Sequence, residues 1–133
     1  MHEVEPVLEG SEYQTDVWAA TERVLVAMEK LRKKKALLVD RFFKLIKKCA
    51  VASFGNVPTN LVRYEGNGVY AIGDRHGPLL RASGFYVDGQ AKQTFVIMDF
   101  YEKHGQKPRE AEKERIVQVA QIRDKRQWVR VSQ

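Results

Sequence analysis

The chain has 133 residues, which suits one domain with a single core, and its hydrophobic share of 44% is ordinary for a folded protein. The lone cysteine, Cys49, excludes an internal disulfide and a zinc site built from several thiolates, as expected of a reducing cytosol. The acidic start Met1-His2-Glu3-Val4-Glu5 is unlike a signal peptide, and no stretch nears the roughly 20 apolar residues of a membrane span; a soluble, cytoplasmic protein is expected.

The formal charge of +6 is unevenly spread. Residues 1–29 carry seven acids against Arg23, a net of −6, whereas residues 30–48 carry nine bases against Asp40, a net of +8. Residues 49–100 balance at four and four, and residues 101–133 hold nine bases against five acids, a net of +4. Basic blocks of this kind attract polyanions such as RNA. The plainer reading of each is a solvated, lysine-rich helix face.

Taken in chain order, Val4 to Leu8 reads as a short strand or as part of a loose acidic tail over residues 1–12, with Pro6 counting against a central strand. A helical pattern starts near Thr15 and Asp16, either of which suits an N-cap. Val17, Val24, Met28 and Leu31 give its core face, widened by Trp18 and Leu25. Arg32-Lys33-Lys34-Lys35 interrupts that face, and a second one follows at Leu38, Phe42, Leu45, Ile46 and Cys49. Two antiparallel helices joined near residues 33–36 are therefore predicted, since one helix spanning both faces is long for a small domain.

Residues 53–60 are dense in helix breakers and read as a loop. The period then changes. Residues 61–64, 69–72, 79–87 and 94–100 are β-branched and aromatic runs, separated by turns at residues 65–68, 74–78 and 88–90. Strands joined so closely must be mostly antiparallel. Pro108 opens a charged helix with Glu110, Glu112 and Glu114 near its start and Arg123, Lys125 and Arg126 near its end, the order its dipole favours. Ile116, Val119 and Ala120 give that helix a buried stripe. The predicted fold is α+β in one domain: an N-terminal helical hairpin packed on a small, mostly antiparallel sheet of three to four strands, with a C-terminal helix.

Residues 61–126 resemble the phage-derived HigB-like branch of the RelE/ParE toxin superfamily. The resemblance rests on Tyr64-Glu65 with Val69-Tyr70-Ala71-Ile72, on Leu79-Leu80-Arg81, and on the run from Phe95 through Phe100-Tyr101-Glu102-Lys103-His104-Gly105-Gln106-Lys107 to Pro108. Phe100 and Pro108 keep the family spacing, while Ala71 and Gly73 stand where the family usually has Glu and Arg, and Glu102 replaces the first lysine of a pair. The resemblance implies the toxin of a type II toxin–antitoxin pair, with a helix-turn-helix antitoxin as partner. It also implies a metal-independent, ribosome-dependent endoribonuclease that cleaves mRNA. The alternatives are a toxin of the same fold aimed at another target such as gyrase, a phage-borne relative without nuclease activity, and a basic RNA- or protein-binding module.

RNA cleavage without a metal needs a base for the 2′-hydroxyl, cations for the developing phosphorane and an acid for the leaving 5′-oxygen. The catalytic candidates are Arg75, His76 and Arg81 on one side and Lys103 and His104 on the other. Lys103 and Arg81 are placed by the resemblance, and the histidines titrate near neutrality. Lys107, Arg109, Tyr101, Lys33, Lys34 and Lys35 are the RNA-binding candidates. A plainer role for Arg81 is an ion pair with Asp99, and for Trp128 the packing of the C-terminal tail. No cofactor or metal is implied, for no metal-ligand spacing or glycine-rich phosphate loop occurs. The acidic first 29 residues suggest a cover over the +8 block in the absence of RNA.

Overall fold

A computed structural model describes residues 1–74, 80–103 and 109–131, and of Arg109 the backbone. The first strand, β1 (His2–Leu8), buries Val4 and Leu8 and runs antiparallel to β2 (Asp16–Ala20). A π-helical turn, Thr21–Val26, leads into α1 (Ala27–Ala52). The meander follows as β3 (Val62–Gly66), β4 (Val69–Ile72), β5 (Leu80–Tyr86) and β6 (Thr94–Glu102), all paired antiparallel. Helix α2 (Arg109–Asp124) and a short β7 (Trp128–Arg130) complete the chain.

These strands form one seven-stranded mixed sheet in the order β3-β4-β5-β6-β2-β1-β7. Two of its junctions are parallel, β2 on β6 and β7 on β1. The expected helical hairpin on a three- to four-stranded sheet is thus corrected: the sheet dominates, residues 16–20 are strand β2, and the helical element is residues 27–52, two helical runs joined across a kink. That element breaks its regular conformation at Lys35 (φ −138°, ψ 56°), inside the 33–36 stretch where the apolar pattern lapses.

Burial explains the misreading. Val17, Trp18, Ala19 and Ala20 are all buried because β2 lies inside the sheet with side chains packed on both faces. Such a strand reads as a continuous apolar run rather than an alternation, and here it adjoins helical residues that continue its pattern. Pro6 is tolerated because β7 pairs only with His2 to Val4 and because the register with β2 shifts between Pro6 and Leu8. Of the acids before residue 30, Glu5, Glu9 and Asp16 take partners outside residues 30–48, while Glu29 pairs with Arg32 at 3.5 Å inside that block. Glu5 accepts a hydrogen bond from Thr21 (2.8 Å), Glu9 accepts from Trp18 (3.1 Å) and Arg130 (2.9 Å), and Asp16 pairs with Lys92 (2.9 Å).

The helices take opposite faces. On one, α1 buries Met28, Val39, Phe42, Ile46 and Cys49, with the Phe42 ring 5.7 Å from Phe100. On the other, α2 buries Val119, Ala120 and Ile122, and Trp128 packs between Trp18 (6.3 Å) and Phe85 (6.0 Å), as the tail-packing reading expects. A bulge lets Ser83 face Asp99 while Gly84 faces Ile97, leaving Met98 unmatched. A Cβ on Gly84 would lie 1.9 Å from the Val96 carbonyl oxygen, so only glycine fits there. Among the described residues, no helix is long and apolar enough to cross a membrane.

Candidate functional site

Register brings the chemistry together on the α2 face. Arg63 faces Ala71, Ala71 faces Ser83, and Ser83 faces Asp99, so one row crosses four strands. Arg81 faces Tyr101 in the adjacent row of the same face. The small side chains of Ala71 and Ser83 leave a trough in this row, and α2 walls it with Glu112, Arg115 and Ile116. Glu65, Tyr101 and Lys103 line the same trough.

Four cations and three carboxylates meet there. Asp99 is 6% exposed; it accepts from Arg115 at 2.7 Å and from the Phe100 backbone N–H at 3.1 Å. Arg23 also reaches it at 3.7 Å, while the Nε of Arg23 donates to the Met98 carbonyl at 2.9 Å. Arg63 pairs with Glu65 at 3.1 Å and Lys103 with Glu112 at 3.5 Å. Arg81 is 3% exposed and donates to the Leu80 carbonyl at 2.8 Å. These contacts leave a trough of about 30 Å³, the share of about one water. A larger anion must therefore displace carboxylates from their cations in order to bind.

Tyr101 sits at the rim with the Arg115 guanidinium 4.2 Å from its ring centroid. Burial, and then the charge of Glu112, push its pKa above the ordinary tyrosine value, with Glu65 and Asp99 adding and Arg115 opposing. Its hydroxyl therefore stays protonated at neutral pH and can donate. Gly73 supports the trough from below: at φ 157° its hydrogen leaves room for Arg81, whose Cδ would lie 2.6 Å from any Cβ.

A second cleft flanks the far side of Tyr101. Strand β2 pairs with β6 only as far as Ile97, so the last residues of β6 border open space of about 610 Å³. Lys30, Lys33 and Lys34 line it with Leu31 and Phe100, and Tyr101 belongs to both this cleft and the trough. Lys35 closes one end by pairing with Glu102 at 2.8 Å.

Of the residues singled out from sequence, Arg81, Lys103 and Tyr101 converge in the trough, and Lys33 and Lys34 line the adjoining cleft. Arg75, His76, His104 and Lys107 lie outside the described residues, as does the side chain of Arg109. Asp99, considered as a partner for Arg81, is held by Arg115 and Arg23. The sequence reading missed the site roles of Arg63, Glu65, Ser83, Glu112 and Arg115. Two signals pointed to them: Arg63 and Glu65 share a strand face by period two, and Glu112 and Arg115 share a helix face by spacing of three. Among the described residues, no group of three or more His, Cys, Asp or Glu side chains is placed to hold a metal ion.

No protein-family model, no curated protein and no solved structure matches the chain.

Proposed function

We propose that the chain is an RNA-cleaving toxin of the toxin–antitoxin kind, working at the α2-face trough without a metal. The observation that carries the reading is the convergence of Arg63, Arg81, Lys103 and Arg115 with Tyr101 and two carboxylates, Glu65 and Glu112, in one trough. That set offers each element of 2′-hydroxyl attack on a neighbouring phosphate. The scissile phosphate replaces Glu112 beside Lys103 and lies over Arg81, whose cations oppose the charge of the phosphorane. Glu112, once displaced, takes the 2′-proton as base. The Tyr101 hydroxyl delivers a proton to the departing 5′-oxygen. The strand continues past Tyr101 into the lysine cleft, where Lys30, Lys33 and Lys34 meet its backbone. Ribosome-bound mRNA is the substrate implied by the resemblance, and an antitoxin the partner.

Induced expression in a bacterial host tests this, with wild type beside Arg81→Ala and Lys103→Ala, following growth and mapping mRNA 5′ ends. Growth arrest with new ends, relieved by both substitutions, is the expected result. Arrest without new ends sinks the nuclease reading in favour of another target.

One observation favours a second reading, binding without cleavage. Lys103–Glu112, Arg63–Glu65 and Arg115–Asp99 already pair cations of the trough with carboxylates. Soluble protein that retains RNA without arresting growth would select it.

A further inference from the structure

A cavity of about 180 Å³ lies on the α1 face, on the opposite side of the sheet from the trough. Ala19 and Ile97 form its floor, Val24 and Met28 one wall, Phe43 and Ile46 the other. Five of these six are themselves interior residues, between 0% and 7% exposed, so the space reaches into the core, and it opens to solvent beside Glu29 and Arg32. Cores are packed to crystal density, and voids larger than a water are few. A dry apolar cavity of about 150 Å³ accepts a benzene ring. The space here is therefore of one-ring size.

Two backbone irregularities frame it. The π-helical turn Thr21–Val26 supplies Val24, and such turns concentrate at functional sites. The break at Lys35 bends the helical element so that Met28 from one arm and Phe43 and Ile46 from the other line the same space. A straight helix would set Met28 and Ile46 about 27 Å apart, at 1.5 Å per residue. Two departures from regular helix thus border this volume.

The polar lining groups are Glu29 and Arg32, both reaching solvent. Arg32 pairs with Glu29 at 3.5 Å and also with Asp40, so one guanidinium faces two carboxylates and these three groups together carry one negative charge. A ligand whose polar end is a carboxylate meets repulsion there, whereas an alcohol or amine does not. We propose that this cavity is a binding site for a small apolar molecule, of about one ring, whose polar end is neutral or cationic. The inference is independent of the nuclease reading, since it uses none of the trough residues.

Methyl NMR on the full chain tests it, following Ala19, Ile46 and Ile97 during titration with benzyl alcohol, benzylamine and benzoate. Saturable shifts confined to these methyls are expected with the alcohol and the amine. Benzoate should bind about two- to fivefold more weakly, the size of a partly exposed charge interaction. Ala19→Leu fills the floor and should abolish the shifts; Met28→Phe fills the wall if the first variant fails to fold. The absence of saturable shifts in wild type, or their survival in a folded filled variant, overturns the site. Benzoate binding as tightly as benzyl alcohol overturns the assigned mouth.

Discussion

Asp99→Asn separates charge from shape at the centre of the trough. The replacement keeps the size of the side chain, but its single oxygen can accept from the Phe100 N–H or from Arg115, which reach different oxygens of the carboxylate, and not from both. It removes the one negative charge that faces both Arg115 and Arg23. The Asp99 side chain is 9% exposed, but its partners are 34% and 27% exposed, so the pair is neither fully buried nor fully screened. Losing one partner of a buried pair costs about 3–5 kcal/mol and an exposed one about 0–1 kcal/mol, which brackets this case near about 2 kcal/mol. For a chain of this length that corresponds to a fall in Tm of about 6–10 °C. Urea denaturation followed by far-UV circular dichroism reads the stability. Fluorescence anisotropy with short single-stranded RNA reads the second effect, since freeing the arginines steepens the dependence of affinity on salt by about 0.7 per phosphate gained. A loss under about 0.5 kcal/mol, the level of an ordinary surface substitution, would refute the view that Asp99 anchors the cations.

Gly84→Ala forces a methyl into the Val96 carbonyl and should cost about 1–3 kcal/mol or more, measured by the same denaturation; a neutral result would show that the bulge can relax. Lys33→Gln with Lys34→Gln should flatten the salt dependence of RNA binding by about 1.4, two contacts at about 0.7 each, if the cleft carries the strand. Cys49 is fully buried, and burial, against the pull of Lys48, pushes its thiol up to about 11. It should resist a thiol reagent at pH 8 in the native protein and react at once in urea. Tyr86 is pushed up to about 12, by burial first and then by Tyr70. The unfolded chain loses that proton near pH 10 and the folded one near 12, so stability is present below about 10 and falls between the two. Tyr86→Phe should flatten that fall in a pH series of urea midpoints.

The meander was legible because its strands are rich in β-branched and aromatic residues and its turns carry glycine at Gly66, Gly68 and Gly89, where φ is positive. Helix α2 was legible from Pro108 and the acids that follow. Strand β2 was not, since a strand buried on both faces shows no alternation. Strands β1 and β7 were obscured by Pro6 and by their dependence on each other across nearly the whole chain. At the site, Arg81 stood out as a charge within an apolar strand, and Lys103 was singled out by the resemblance through the spacing from Phe100 to Pro108. Arg63 and Arg115 did not, because only the register of four strands and the docking of α2 bring them to Ser83 and Asp99. Local spacing sets Arg63 beside Glu65 and Arg115 beside Glu112, but which other elements they meet is set by tertiary pairing.

The two parallel junctions of the sheet also set the order in which it can be completed. Asp16 must wait for Thr94, and His2 for Trp128, so the β1–β2 hairpin is synthesised well before the strands that enclose it. Until then β1 and β2 expose unpaired backbone on both flanks, a template for pairing with another chain. Closure over such sequence distances is slow, and the delay falls while the chain is still being synthesised. The acids clustered in those first strands give the waiting hairpin a net negative charge, and two copies carrying it repel each other.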